Sequence, residues 1–171
     1  GGAGAFLGSA PEIIAFAPKT PALEGSELLQ QIQNRRGSRQ FGYTLTDEEN
    51  ISQGIGRREG VVYGEHRAFT APSTVYQEDS VSREIDGILL EMARLPGETD
   101  DQICVWLPQK RVLCCGDNYY GCFPNFYAIR GGQYRDLSAW KKSIDALLAY
   151  PADYLLPGHT SVIYGNDNIR E

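Results

Sequence analysis

The chain has 171 residues, 42% of them hydrophobic, and its 22 acidic against 16 basic side chains leave a formal net charge of −6. That length suits one domain around one core. The acidic balance argues against nucleic acid or an anionic membrane as partner, because both require a clustered basic surface, and no apolar run approaches the roughly 20 residues of a membrane-spanning helix.

The basic clusters, Arg35-Arg36-Gly-Ser-Arg39 and Arg57-Arg58, are each followed by acidic residues and read as solvated faces or subunit contacts. Neither the charged flank nor the cleavage pattern of a secretory signal opens the chain, and a leader on sequence upstream of residue 1 stays open. Asn50-Ile-Ser52 is a glycosylation sequon in a polar, turn-rich segment. Secretion is the favoured reading.

In chain order, an opening helical turn leads into Glu12-Ile-Ile-Ala-Phe-Ala17, a short buried strand closed by Pro18. From Leu23 to about Arg36, Leu28, Leu29 and Ile32 recur at helical spacing, with Gly37 as the expected stop. Between Gly37 and Ala71 glycines are frequent and periodicity is poor, which predicts a long irregular excursion; loops of that length usually serve function or a partner. Ser73–Gln77 and Ser80–Ile85 read as strands, and Asp86-Gly87 is a turn before a further strand, Ile88–Arg94. Gln102–Leu107 and Arg111–Cys115 form a hairpin around Pro108-Gln-Lys110. A helix from Asp136 to about Tyr150 places Leu137, Trp140, Ile144 and Leu147-Leu148 on one face, so Trp140 belongs to the core. Pro151 ends that helix, and Asp153–Leu156 returns as a strand. The order is α/β.

The four cysteines offer no Cys-x-x-Cys pair, which argues against a zinc ribbon. Cys104 and Cys114 lie in apolar strands and read as buried small hydrophobes. Adjacent Cys114 and Cys115 point to opposite faces, so at most one of them faces the core. Cys122 lies in a loop and is able to pair with a cysteine on another chain.

Three turns each present one potential metal ligand just past an apolar run: Glu98 in Leu95-Pro-Gly-Glu-Thr-Asp-Asp101, Asp117 in Cys115-Gly-Asp-Asn118 and His159 in Leu156-Pro-Gly-His-Thr160. Oxygen and imidazole donors of this kind suit zinc and its neighbours. Singly, each reads equally as a capping or solvated turn residue. His66, in Gly-Glu-His-Arg with no strand before it, reads as a surface residue.

The order of these turns, with Gly116-Asp-Asn-Tyr-Tyr-Gly-Cys-Phe-Pro-Asn-Phe-Tyr-Ala-Ile-Arg-Gly131, Tyr134-Arg-Asp136 and Trp140, resembles the alkylsulfatase-like branch of the metallo-β-lactamase-fold hydrolases. The glutamate in Pro-Gly-Glu-Thr, where most of the superfamily has histidine, fits that branch. The resemblance is good from about Ser73 to Ile163. It implies the C-terminal portion of an αββα sandwich, with residues 1–171 part of a single domain: post-motif helices, a strand and the excursion in 1–72, the second half of the sandwich in 73–171. It further implies Glu98 and His159 as metal ligands, Asp117 as a bridging ligand, two zinc ions, and Asn125 and Arg130 as the groups that hold a sulfate.

A planar guanidinium offers two parallel donors to a tetrahedral oxyanion, and Asn125 adds a further donor without charge; alternatively, Arg130 pairs with Asp136 or Glu98. Tyr119, Tyr120, Phe123, Phe126 and Tyr127 read either as an apolar channel for an alkyl tail or as core. The chain departs from the family in one respect. The His-x-His-x-Asp-His motif that supplies four ligands is absent, and the only histidines are His66 and His159. Residue 1 is accordingly expected just downstream of that motif, in one piece of a cleaved or split protein, with an obligate second polypeptide supplying the missing ligands in a hetero-oligomer or a dimer of processed chains. The implied function is zinc-dependent hydrolysis of alkyl or aryl sulfate esters. Alternatives are a lactonase or β-lactamase-like hydrolase of the same fold, or a catalytically silent subunit that keeps the scaffold.

Overall fold

In the computed structural model, which describes residues 6, 8, 9, 11–19, 27–52, 70–124, 126 and 134–171, the apolar run before Pro18 forms β1 (Ile14–Phe16). Helix α1 (Glu27–Gln40) follows, then β2 (Thr74–Tyr76), β3 (Ser80–Ile85) and β4 (Ile88–Arg94). A 3-10 turn at Pro108–Lys110 joins β5 (Ile103–Leu107) to β6 (Val112–Gly116). Helix α2 (Leu137–Leu147), β7 (Tyr154–Pro157), β8 (Ile163–Tyr164) and α3 (Asn166–Arg170) complete the order. The described residues fall into two compact units, one holding α1 and the turns after it, the other holding these eight strands with α2 and α3.

In the first unit, α1 does not stop at Gly37, as the sequence reading expects, but runs to Gln40. The Gly37 carbonyl accepts from Phe41 N at 2.9 Å, so the helical ladder continues through a residue whose cost inside a helix is only about 1 kcal/mol. Residues 41–50 are turns, in line with the expected excursion; residues 53–69, including Arg57, Arg58 and His66, lie outside the described residues. Asn50 is 2% exposed, and its Nδ2 donates to the Gly42 carbonyl at 2.9 Å. The amide nitrogen that glycosylation modifies is therefore engaged inside the fold.

In the second unit, β3 and β4 are joined by Asp86 at φ 51° and Gly87 at φ 77°, two successive left-handed residues whose twist matches an antiparallel hairpin. The register Ile85↔Ile88 through Ser80↔Ala93 follows. The six-stranded sheet has the order β3-β4-β5-β6-β7-β8, and a separate two-stranded sheet pairs β1 with β2 in parallel. All pairings in the large sheet are antiparallel except β6 with β7. Helix α2 makes that parallel crossover, the usual device for joining parallel neighbours. Asp136 caps it, its Oδ1 accepting from Ser138 N at 2.9 Å and Ala139 N at 3.0 Å. Arg111 clamps Asp153 with two donors, Nε to Oδ2 at 2.6 Å and Nη2 to Oδ1 at 2.9 Å, which ties the start of β6 to the start of β7.

The core contains Cys104, Trp106, Leu113, Cys115, Leu147, Ala152 and Leu155, with Trp140 also buried at 4% exposure. Here one cysteine assignment is corrected. Leu113 and Cys115 share the core face by the period of two, so Cys115 is buried and Cys114, on the opposite face, is only half-buried. Sequence periodicity also misses β8 and α3, whose short runs are too brief to show a period. Tertiary contacts hold them: Gly165 N donates to Asp153 O at 2.8 Å and Asn166 Nδ2 to Ala152 O at 3.0 Å.

Candidate metal centre

Strands β4, β6 and β7 all run the same way, since β5 is antiparallel to both β4 and β6 while β7 is parallel to β6. Their C-terminal ends therefore lie at one edge of the sheet, and the turns that follow them carry Glu98, Asp117 and His159. Those turns interlock through glycines. A Cβ on Gly97 would overlap Asn118 Oδ1, and a Cβ on Gly158 would overlap Asp117 Oδ1. Gly121, at φ 68°, leaves only 3.0 Å to the Thr160 methyl. Each proline-glycine turn thus needs its glycine because the middle turn packs against it. Helix α2 braces the arrangement, Ser143 Oγ donating to Pro96 O at 2.6 Å and Trp140 Nε1 to Asn118 O at 3.2 Å, while Asn118 Nδ2 donates across to Leu95 O at 3.0 Å. Gly158 N donates to Gly116 O at 2.8 Å, joining the second and third turns.

On this frame the side chains meet. His159 Nε2 lies 3.3 Å from Asp117 Oδ1, and Asp117 shares a hydrogen bond with Glu98. The two oxygens of Glu98 also accept from Tyr120 Oη and from Arg135 Nη2. Tyr120 lies flat on the His159 ring, with centroids 5.6 Å apart and planes 3° from parallel. Burial, then the hydrogen bond to Glu98, push the Asp117 carboxyl above its ordinary value, against the pull of His159. Burial is also the largest single influence on Glu98, but the Tyr120 and Asp117 hydrogen bonds and the Arg135 charge outweigh it and hold that carboxyl below its ordinary value. The two carboxyls are therefore shifted apart, Asp117 upwards and Glu98 downwards.

The structure brings all three expected ligands together, as a chain Glu98–Asp117–His159 with Asp117 in the middle. They do not form a tripod: among the described residues no three His, Cys, Asp or Glu side chains converge on a metal-holding arrangement, and Glu98 is turned towards Tyr120 and Arg135. The donor chemistry nonetheless fits a borderline cation. Two carboxyl groups in contact, flanked by an imidazole, disfavour joint ionisation unless a proton or a metal lies between them. Asn125, Arg130 and Tyr127 lie outside the described residues.

Two residues escaped the sequence reading. Arg135, given no role of its own in the sequence, immediately precedes the cap Asp136 and pairs with Glu98. Tyr120, read only as channel or core, borders both the carboxylates and an apolar cavity of about 320 Å³. Tyr119, Phe126, Leu137, Trp140 and Ile144 also line this cavity. Phe123 stands 84% exposed, edge-on to Phe126 at 5.0 Å.

A sequence model described as the Metallo-beta-lactamase superfamily matches residues 7–159. A linear primary-alkylsulfatase from a Pseudomonas species is 31% identical over 149 residues, covering 84% of this chain and 27% of that protein. An alkyl/aryl-sulfatase of Saccharomyces cerevisiae is 32% identical over 146 residues, covering 81% and 22%. The solved structure of a stereoselective inverting sec-alkylsulfatase from Pseudomonas sp. superposes with a TM-score of 0.73 at 24% identity, covering 97% of this chain and 27% of that one. The chain thus spans about a quarter of the length of the curated relatives it matches.

Proposed function

The chain belongs to the metallo-beta-lactamase superfamily, and from that membership we propose that it forms part of the catalytic domain of a zinc-dependent hydrolase cleaving alkyl or aryl sulfate esters. The observation that carries this reading is the chain of contacts Glu98–Asp117–His159, held on interlocked turns that follow β4, β6 and β7. Alkylsulfatases among its relatives support the sulfatase class within the superfamily. Glu98, Asp117 and His159 are the residues of this chain that would hold the metal. About two zinc ions held there would lower the pKa of a water towards ~7 and act as a Lewis acid on the ester.

The chain's own residues do the rest. Arg135 and Tyr120 keep Glu98 ionised and oriented, ready to ligate. Asp117 would ligate as the carboxylate, since ligands must be deprotonated. Arg130 grips the sulfate and Asn125 donates a further hydrogen bond to it, roles that rest on the family resemblance. The apolar cavity beside Tyr120 takes hydrocarbon. The remaining ligands, a His-x-His-x-Asp-His set, come from sequence outside residues 1–171, supplied by a second polypeptide where the catalytic domain is divided.

Metal analysis and a turnover screen test this. About two equivalents of zinc when the His-x-His-x-Asp-His segment is present, with alkyl or aryl sulfates turned over ahead of lactones and β-lactams, is the expected result. Zinc with lactones preferred replaces sulfatase by another hydrolase of the fold. A second reading, a catalytically silent subunit, draws on the engagement of both Glu98 oxygens by Tyr120 and Arg135; protein that takes up no zinc in the presence of that segment establishes it.

A further inference from the structure

We infer that Tyr120 is a positioning residue for this centre, its hydroxyl orienting Glu98 and its ring fixing the plane of His159. The inference rests on the proposed metal-binding role of those two residues and adds to it a side chain that ligates nothing. Glu98 and His159 follow β4 and β7, which are separated in the sheet by β5 and β6. Nothing in their own turns makes them a pair, whereas Tyr120, on the loop after β6, touches both.

Three observations give it that role. Its hydroxyl donates to Glu98 Oε2 while Arg135 holds Oε1, so both oxygens are gripped, beside the contact with Asp117, and the carboxylate plane is set. Its ring stacks within 3° of the His159 imidazole. His159 is 61% exposed, with Asp117 as its ion-pair neighbour, so the stack restricts a ring that has much of its surface in solvent. Tyr120 is itself held: its ring tilts against Trp140 at 6.5 Å, and the next residue, Gly121, is docked on Thr160, the neighbour of His159. Outer partners of metal ligands influence affinity by fixing ligand orientation before the metal arrives, and losing one typically costs about tenfold to a hundredfold.

The experiment uses the full polypeptide assembly that carries the complete ligand set, as wild type, Tyr120→Phe and Tyr120→Leu. Zinc affinity is read by chelator competition, ligand geometry by the absorption bands of the cobalt-substituted protein, and folding by thermal melting without metal. Tyr120→Phe keeps the stack and removes the hydroxyl, so zinc binding should weaken about tenfold to a hundredfold with melting nearly unchanged. Tyr120→Leu removes both contacts, and should weaken binding further and shift the cobalt bands. Wild-type zinc affinity and cobalt bands in Tyr120→Phe overturn the inference, whether or not Tyr120→Leu folds. A wild type that binds no zinc removes the proposed metal centre itself, so the two failures are distinguishable.

Discussion

Replacing Gly97 with alanine tests whether the three turns really interlock. A Cβ at this position would overlap Asn118 Oδ1 and come within 3.3 Å of Trp140 Nε1. Asn118 has little room to retreat: it is 3% exposed, its Nδ2 donates to Leu95 O at 3.0 Å and its carbonyl accepts from Trp140 Nε1 at 3.2 Å. Turning the Asn118 side chain away breaks the first of these bonds, which costs about 1 kcal/mol. Forcing a methyl into a packed site adds about 1–3 kcal/mol. The expected loss is therefore about 2–4 kcal/mol, or roughly 5–15 °C in melting temperature for a domain of this size. Circular dichroism melts of wild type, Gly97→Ala, Asn118→Ala and the double variant measure it. Because the clash is with the Asn118 side chain, the double variant should lose clearly less than the sum of the two single losses. Melting of Gly97→Ala within a degree of wild type would refute the interlock, and strict additivity would place the strain elsewhere.

Gly37→Ala should do the opposite and stabilise α1 by about 0.5–1 kcal/mol in the same melts, because Gly37 sits within the helix with nothing near the added methyl. Thiol labelling at pH 8 should find Cys122, which is exposed, reacting fast. Cys104 and Cys115, pushed by burial to about 12 and about 11, should react only on unfolding, since the thiolate is the reactive form; fast labelling of either in the native protein contradicts this. The hydrogen bonds from Arg111 hold the Asp153 carboxyl below its ordinary value. A depressed folded-state value means that the contribution is complete above the ordinary carboxylate range near ~4 and is lost as pH falls through the lower value. Asp153→Asn should therefore flatten the acid side of the stability profile below about pH 4 and leave the profile's shape at neutral pH unaltered, as followed by denaturant titration at several pH values.

The alternation in Ser80–Ile85 and Ile88–Arg94, the Asp86-Gly87 turn and the amphipathic stretch after Asp136 identify their elements locally, because side-chain period and turn conformation are properties of neighbouring residues. The same holds for the three proline-glycine or glycine-aspartate turns at the ends of apolar runs, which is why Glu98, Asp117 and His159 could be singled out before any contact was known. Gly37 misled for a related reason: a glycine weakens a helix by an amount that the hydrogen bond from Phe41 to its carbonyl offsets, so its effect is not local. That Cys115 rather than Cys114 faces the core depends on which side of β6 is covered, and Asn50 became buried through carbonyls eight and nine residues away. Tyr120 and Arg135 carried no signal of their own, since a tyrosine in an aromatic loop and an arginine before a helix cap each suit many roles. Only the parallel course of β4, β6 and β7 brings their three turns to one edge, and only there do a hydroxyl and a guanidinium find the same carboxylate. Ligand identity is a matter of residue type and turn; ligand orientation is a matter of what distant segments the sheet order makes neighbours.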